Sequence, residues 1–305
     1  MISLSAQQVL LGLVPLVVLV TLLGAVIAGP NVGVDFHNAY YVAGLRVLRG
    51  GDPYAWSAHQ IAAGVAFVYP AFSALFFAPF ALISRGTASL TFMFVCVALA
   101  PLTLWIMRVR DWRVYGATLL WLPFFGAWQT ANETALLVAL TALAWRYRDR
   151  PIVCGALAAA AISLKPLVWP LALWLLVTRR YRASAYGLAV GVVLNLASWA
   201  VVGFSNVSVY LHESVLDSRL SWRHGYSLIA LAGHFGLGRV VGYALLVIGA
   251  LALTLLVVYI GLVKRRERQA LILAVALMLV SSPLVWSHYF LLLLIPLALK
   301  RPRMC

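Results

Sequence analysis

The chain has 305 residues, 64% hydrophobic and 10% charged, and its 23 Lys+Arg against 8 Asp+Glu give a net charge of +15. That much apolar surface excludes a soluble domain and points to an all-α polytopic membrane protein, a single integral membrane domain over 1–305. The basic excess sits in short loops between apolar runs, which fits the positive-inside rule and contact with anionic headgroups and argues against nucleic acid as a partner.

Residues 9–28 are the first apolar run, close to the roughly 20 helical residues that span a bilayer core. No Lys or Arg precedes it, so it reads as a retained anchor rather than a cleaved leader. Residues 29–66 follow as a first outer segment. Between Asp35 and Asp52 the pattern predicts a short amphipathic helix. Asn38, Val42, Arg46 and Arg49 share one face and Tyr41, Leu45 and Leu48 another, which suits a helix lying in the headgroup plane. "GGDPY" at 50–54 ends it with a turn.

Apolar segments 67–84 and 87–107 come next, then the basic run "RVRDWR" at 108–113. Long apolar stretches 114–145, 151–178 and 269–299 are bounded by "RYRDR" (146–150), "RRYR" (179–182), "KRRER" (264–268) and "KRPR" (300–303). Each is interrupted near its middle, by "WQTANE" (128–133), "LKP" (164–166) and "SSPLVWSHY" (281–289). Two crossings per stretch keep every basic cluster on one side and every interruption on the other. The half-helices are then only about 12–15 residues, roughly 20 Å at the α-helical rise. Irregular backbone at that depth needs a protein-lined or watery cavity, so the interruptions predict a cavity open to the outer face. Residues 184–204 and 239–263 read as full crossings, with 205–238 as a second outer loop, and the total is about nine to eleven transmembrane or re-entrant helices. Segment 67–84 is either re-entrant or leaves "RVRDWR" outside, and the sequence keeps both options open.

Few polar residues stand where chemistry could use them. Asp35 at the outer boundary is either an N-cap or a catalytic carboxylate. Asp52 reads as a turn residue. Lys165 lies deep in an apolar run, a position that marks function by default; its partner is an anionic ligand or, structurally, Glu133 across the cavity. His288 is a cavity ligand or a satisfied interfacial histidine, and His37 a headgroup-level side chain. Arg219, Arg223 and His224 form a cationic group that meets an anionic headgroup or is simply solvated. Cys96, Cys154 and Cys305 read as small core hydrophobes, with no zinc site or disulfide framework. The chain has no Walker loop, dinucleotide fingerprint, HExxH, G-x-S-x-G or DxD pair.

In order, "VDFHNAYYVAGLRVLRGGDPY" (34–54), "FVYPAFSALFFAPFALI" (67–83), "WQTANETALL" (128–137), "GALAAAAISLKPLVWPLALWLL" (155–176) and "SSPLVWSHYFLLLLIP" (281–296) resemble glycosyltransferase family 87. These are membrane mannosyltransferases of the GT-C superfamily that use polyprenyl-phosphate-mannose. "WQTANETALL" is similar to the family's Gly-Gln-x-Asn segment, with Trp128 where glycine is usual. The resemblance implies a GT-C-like helical bundle in the bacterial plasma membrane. It implies inverting transfer of a sugar, mannose by default, from a polyprenyl-phosphate donor to an envelope glycolipid or glycan acceptor, with no cofactor or metal. It makes Asp35 the general base and assigns donor phosphate and substrate to Lys165, His288, Arg219, Arg223, His224, Gln129, Asn132, Glu133 and Tyr69. A secondary transporter shares the broken helices and buried lysine, although no internal repeat of two halves is visible. A non-catalytic subunit of an envelope assembly is the third reading.

Overall fold

The computed structural model describes residues 4–30 and 32–300; Cys305 and most of the "KRPR" run lie outside them. Among the described residues the secondary structure is entirely helical. Four helices are long and apolar enough to cross a membrane: α1 (Ala6–Ala28), α5 (Arg85–Ile106), α11 (Tyr181–Val202) and α14 (Gly238–Val263). Three of them, α1, α11 and α14, bury little of their length against protein, and such helices need lipid around them. Between α1 and α5 lie a π-turn (Phe36–Tyr40) running into α2 (Tyr41–Leu48), then α3 (Ala58–Ala62) and α4 (Ala71–Leu82).

The stretches with interrupted apolar patterns are indeed broken. The first holds α6 (Trp112–Leu119), α7 (Leu122–Gln129) and α8 (Thr134–Arg146). The second holds α9 (Pro151–Leu164) and α10 (Pro166–Val177). The last holds α15 (Glu267–Val280) and α16 (Ser287–Lys300). Proline sets the break between α9 and α10: Lys165 precedes Pro166 and is pushed out of the helical region, to φ −148° and ψ 114°. Between α11 and α14 lie two helices, α12 (Asn206–Leu220) and α13 (Leu228–His234). Close backbone contact holds α9 on α11, where a Cβ on Gly155 would run into the Ala183 carbonyl.

Basic loops collect at one end of this bundle. Arg108 and Arg110 share a depression with Arg146 and Tyr147. Arg148 and Arg180 both pair with Glu267, and Arg180 also meets Asp149 at 3.1 Å. The opposite end gathers the breaks: Gly33 N–H donates to the Gln129 carbonyl (3.1 Å), and Arg85 Nε donates to the His37 carbonyl (2.8 Å). Because α5 starts beside His37 and ends just before Arg108, it runs from this end to the basic end. Helix α4 does not cross; it leaves Pro70 and returns to Ile83, whose carbonyl accepts from the Tyr41 hydroxyl at 3.0 Å. Segment 67–84 is therefore re-entrant, and "RVRDWR" joins the other basic loops.

The expected headgroup-plane helix needs correction. Phe36, Tyr40, Tyr41 and Ala43 are buried, and Phe36 packs edge-on against Phe77 and Phe80 and stacks on Phe92 at 4.9 Å. Gly44 brings α2 so close to α4 that a Cβ would sit 2.9 Å from Ala78 Cα. The tyrosines that read as interfacial face this aromatic core, because the re-entrant α4 supplies a protein surface for them. Cys96 and Cys154 are buried free thiols, as expected of core positions.

Candidate active site

Two carboxylates and one ammonium converge where the breaks meet. Helix α7 ends in a tight turn: Ala131 N–H donates to the Trp128 carbonyl (3.0 Å) and Asn132 N–H to the Ala127 carbonyl (2.9 Å). That hydrogen-bond pair closes a helix with its penultimate turn residue left-handed, and Ala131 takes φ 50°. The turn aims Asn132. Its Oδ1 accepts from the Thr134 backbone N–H (2.9 Å) and hydroxyl (2.7 Å), so its Nδ2 faces Asp35 and donates to Oδ2 at 2.8 Å. The Asp35 backbone N–H donates to the Thr130 carbonyl at 3.0 Å, so the two segments are tied twice. Asp35 opens the π-turn but its side chain caps none of that turn's N–H groups, which sets the N-cap reading aside. Burial pushes the Asp35 carboxyl above the usual carboxylate range, against the opposing pull of Asn132 and Lys165.

Glu133, the next residue of the same turn, is fully buried and meets Lys165 Nζ at 3.7 Å. The Ser73 hydroxyl donates to its other oxygen at 3.1 Å. Lys165 Nζ also lies over the Tyr289 ring (4.1 Å) and the Tyr69 ring (4.8 Å). None of its N–H groups makes a hydrogen bond among the described residues, and neither does Glu133 Oε1. A buried ammonium with one ion pair and two ring faces keeps donor capacity for a further acceptor. It forms part of the wall of a cavity of about 310 Å³, with Tyr69, Trp169, Tyr210, Asp217 and Tyr289 among its neighbours.

Other expected residues fare differently. Asn132, Glu133 and Tyr69 belong to the group just described. His288 is buried beside Tyr289, and its Nε2 has no hydrogen bond among the described residues, so it is neither exposed nor satisfied. The Gln129 carbonyl, rather than its side chain, makes the recorded contact, to Gly33. Arg219, Arg223 and His224 are exposed at and beyond the end of α12 and do not line the cavity; Arg223 lies over Trp222. Asp52 accepts from Tyr54 N–H at 2.8 Å, the side-chain turn expected of it. Asp217 and Tyr289 were missed. Their signals were weak: Asp217 shares a helical face with Tyr210 and Ser214, and Tyr289 follows a histidine in an interrupted run. Among the described residues no three His, Cys, Asp or Glu side chains gather as a metal site requires.

No curated protein and no solved structure matches this chain. The family model for glycosyltransferase family 87 does match, over residues 67–285, well over half of the length and including the turn that holds Asn132 and Glu133, the Lys165 break and α12. A match of that extent to a family of sugar-transferring enzymes displaces the transporter reading; it takes in Lys165, Asn132 and Glu133, and Asp35 lies before its first residue. The chain belongs to glycosyltransferase family 87 and is a membrane glycosyltransferase.

Proposed function

We propose that the protein transfers a sugar, mannose by default, from a polyprenyl-phosphate donor to an envelope glycolipid or glycan acceptor at the outer face of the bacterial plasma membrane. The acceptor hydroxyl oxygen attacks the anomeric carbon and its proton passes to Asp35. The bond from that carbon to the phosphate oxygen breaks, and the departing polyprenyl phosphate keeps the electron pair. Attack opposite the leaving group inverts the anomeric centre. Lys165 stabilises the charge that develops on the phosphate, where a preoriented cation in a site shielded from water acts most strongly. A raised pKa makes the Asp35 carboxylate more basic and suits it to its role, since a general base works best with a pKa near the operating pH.

One observation carries this reading: the Lys165 ammonium, buried and free of hydrogen bonds, beside a cavity at the end of the bundle away from the basic loops. With the basic loops cytoplasmic by the positive-inside rule, that cavity opens outward, and the donor's isoprenoid chain stays in lipid. Membranes containing the protein, given radiolabelled polyprenyl-phosphate-mannose and a lipid extract, should make a labelled product. Asp35→Asn should make it at a small fraction of the wild-type rate. Absence of any transfer with lipid-linked hexose or pentose donors would refute the proposal.

A further inference from the structure

Helix α12 presents Tyr210, Ser214, Asp217 and Ser218 to the cavity, one face at i, i+4, i+7 and i+8. Asp217 is the one acidic side chain among the residues that line this cavity, and Lys165 is the one cation. The two are within electrostatic reach of each other. One Asp217 oxygen accepts from the Ser221 hydroxyl at 3.1 Å, a bond from one turn further along, and the other has no hydrogen bond among the described residues. Tyr210 is held in place by Trp199 and Tyr54, each 5.9 Å away ring to ring. The remaining wall sets the rings of Tyr69, Tyr289 and Trp286 and the hydroxyls of Ser281 and Ser282 among aliphatic side chains and prolines.

Such a lining differs from a simple anion hole. Ring faces suit the apolar faces of a pyranose, and an ionised carboxylate accepts two hydroxyl hydrogens without offering one. At about 310 Å³ the cavity is at the lower limit of ligand pockets, the size of one monosaccharide with its phosphate rather than a glycan chain. We infer that Asp217 binds the hydroxyl groups of the donor's sugar while Lys165 binds the phosphate attached to it. Cavity and helix thus form a sugar 1-phosphate site with separate ends for charge and for hydroxyls. The assignment rests on the sugar-transfer reading above and names the residue that recognises the sugar.

Binding separates the two ends. Purified full-length protein is titrated with mannose 1-phosphate and with inorganic phosphate, and the fluorescence of Trp169 and Trp286 in the cavity wall reports occupancy. Asp217→Asn should weaken mannose 1-phosphate by about tenfold or more, the usual scale for hydrogen bonds to a charged group. It should leave inorganic phosphate unchanged or bound more tightly, because a negative charge near Lys165 has gone. Ser221→Ala removes the bond that holds Asp217 but keeps the carboxylate, and should preserve the preference for the sugar phosphate. In the transfer assay Asp217→Asn should raise the KM for the lipid-linked donor and leave that for the acceptor. Equal weakening of both ligands, no weakening of either, or a KM change confined to the acceptor would overturn the assignment. Transfer by the wild type is scored independently. A protein that binds as stated without transferring refutes the catalytic proposal, and one that transfers normally with Asp217→Asn refutes this one.

Discussion

Asn132 cannot turn its amide away from Asp35, because its oxygen is taken twice by Thr134. An asparagine at 35 can still offer an oxygen to that amide, so Asp35→Asn should keep the 2.8 Å contact and change stability by less than about 1 kcal/mol. It cannot take up the acceptor's proton, and kcat should fall by about 10²–10⁴ in the lipid-linked mannose assay. Asp52→Asn, where the turn needs only an acceptor, should leave both properties nearly unchanged. In the wild type the acid limb of the pH–rate profile should lie above the ordinary carboxylate range, since burial raises the Asp35 pKa and activity is lost as pH falls through it. Lys165 requires a paired test. The sequence left open whether its partner is a ligand or Glu133, and the 3.7 Å pair makes Lys165→Ala leave a buried carboxylate without a counter-charge. That single change should cost about 3–5 kcal/mol, so lost transfer would say nothing about phosphate. Lys165→Met with Glu133→Gln should recover the thermal stability while donor use stays poor. Wild-type transfer by the double variant would remove Lys165 from the mechanism.

Helix ends reveal a division of labour along the bundle. Apart from Ala131, turns at the end away from the basic loops place glycine at the left-handed position, as at Gly50, Gly64 and Gly236, whereas those at the basic end place arginine, as at Arg108, Arg179 and Arg265. A side chain in that conformation costs about 1–2 kcal/mol relative to the right-handed one. Each of the three arginines is exposed. Arg108→Gly and Arg179→Gly should therefore raise the melting temperature in neutral detergent. In vesicles rich in anionic lipid the gain should shrink, because the lost guanidinium contributes about 1 kcal/mol near such a surface. Glycine variants that are less stable in detergent would remove the strain argument. Helix α12 carries a different dependence. Glu213 is buried on the face away from Ser214 and is pushed up to about 7 by burial, with the Asp52 charge adding and Arg46 opposing. The folded state then holds its proton at pH values where the unfolded chain, with an ordinary glutamate, has released it. Stability contributed at low pH is lost as pH rises through the window up to about 7. Wild-type melting should fall between pH 5 and pH 8 by more than that of Glu213→Gln, and parallel curves would show that Glu213 does not titrate there.

Across the whole molecule, hydropathy and charge made the broken stretches legible, since a polar interruption inside an apolar run has few other meanings. The Lys165 break follows from Pro166 alone, and the placing of basic clusters follows from their shared sign. Segment 67–84 was not legible, because its turning back depends on the aromatic surface it shares with Phe36 and Phe92, which no local pattern encodes. The same surface misled the reading of the 36–48 helix: tyrosines look alike whether they face headgroups or phenylalanines. Asp217 escaped because a carboxylate in a polar helix is ordinary until the Lys165 break is packed opposite it. Sidedness is open to direct test. A cysteine placed at 265 should resist an impermeant thiol reagent in intact cells, and one placed at 59 should react with it. The reverse pattern would invert the membrane orientation.

Glu133 and Lys165 also constrain how the chain is made. They lie on successive hairpins, and Glu133 leaves the ribosome 32 residues before Lys165. At roughly 5–20 residues per second that interval is about 2–6 seconds. During it the α7–α8 hairpin must hold a carboxylate against lipid with only Ser73, already synthesised, to hydrogen-bond it. The lysine that follows finds its counter-ion waiting rather than an empty bilayer. Membrane integration of α9 and α10 should thus depend on the hairpin before it, with the order of translation deciding which charge waits for the other.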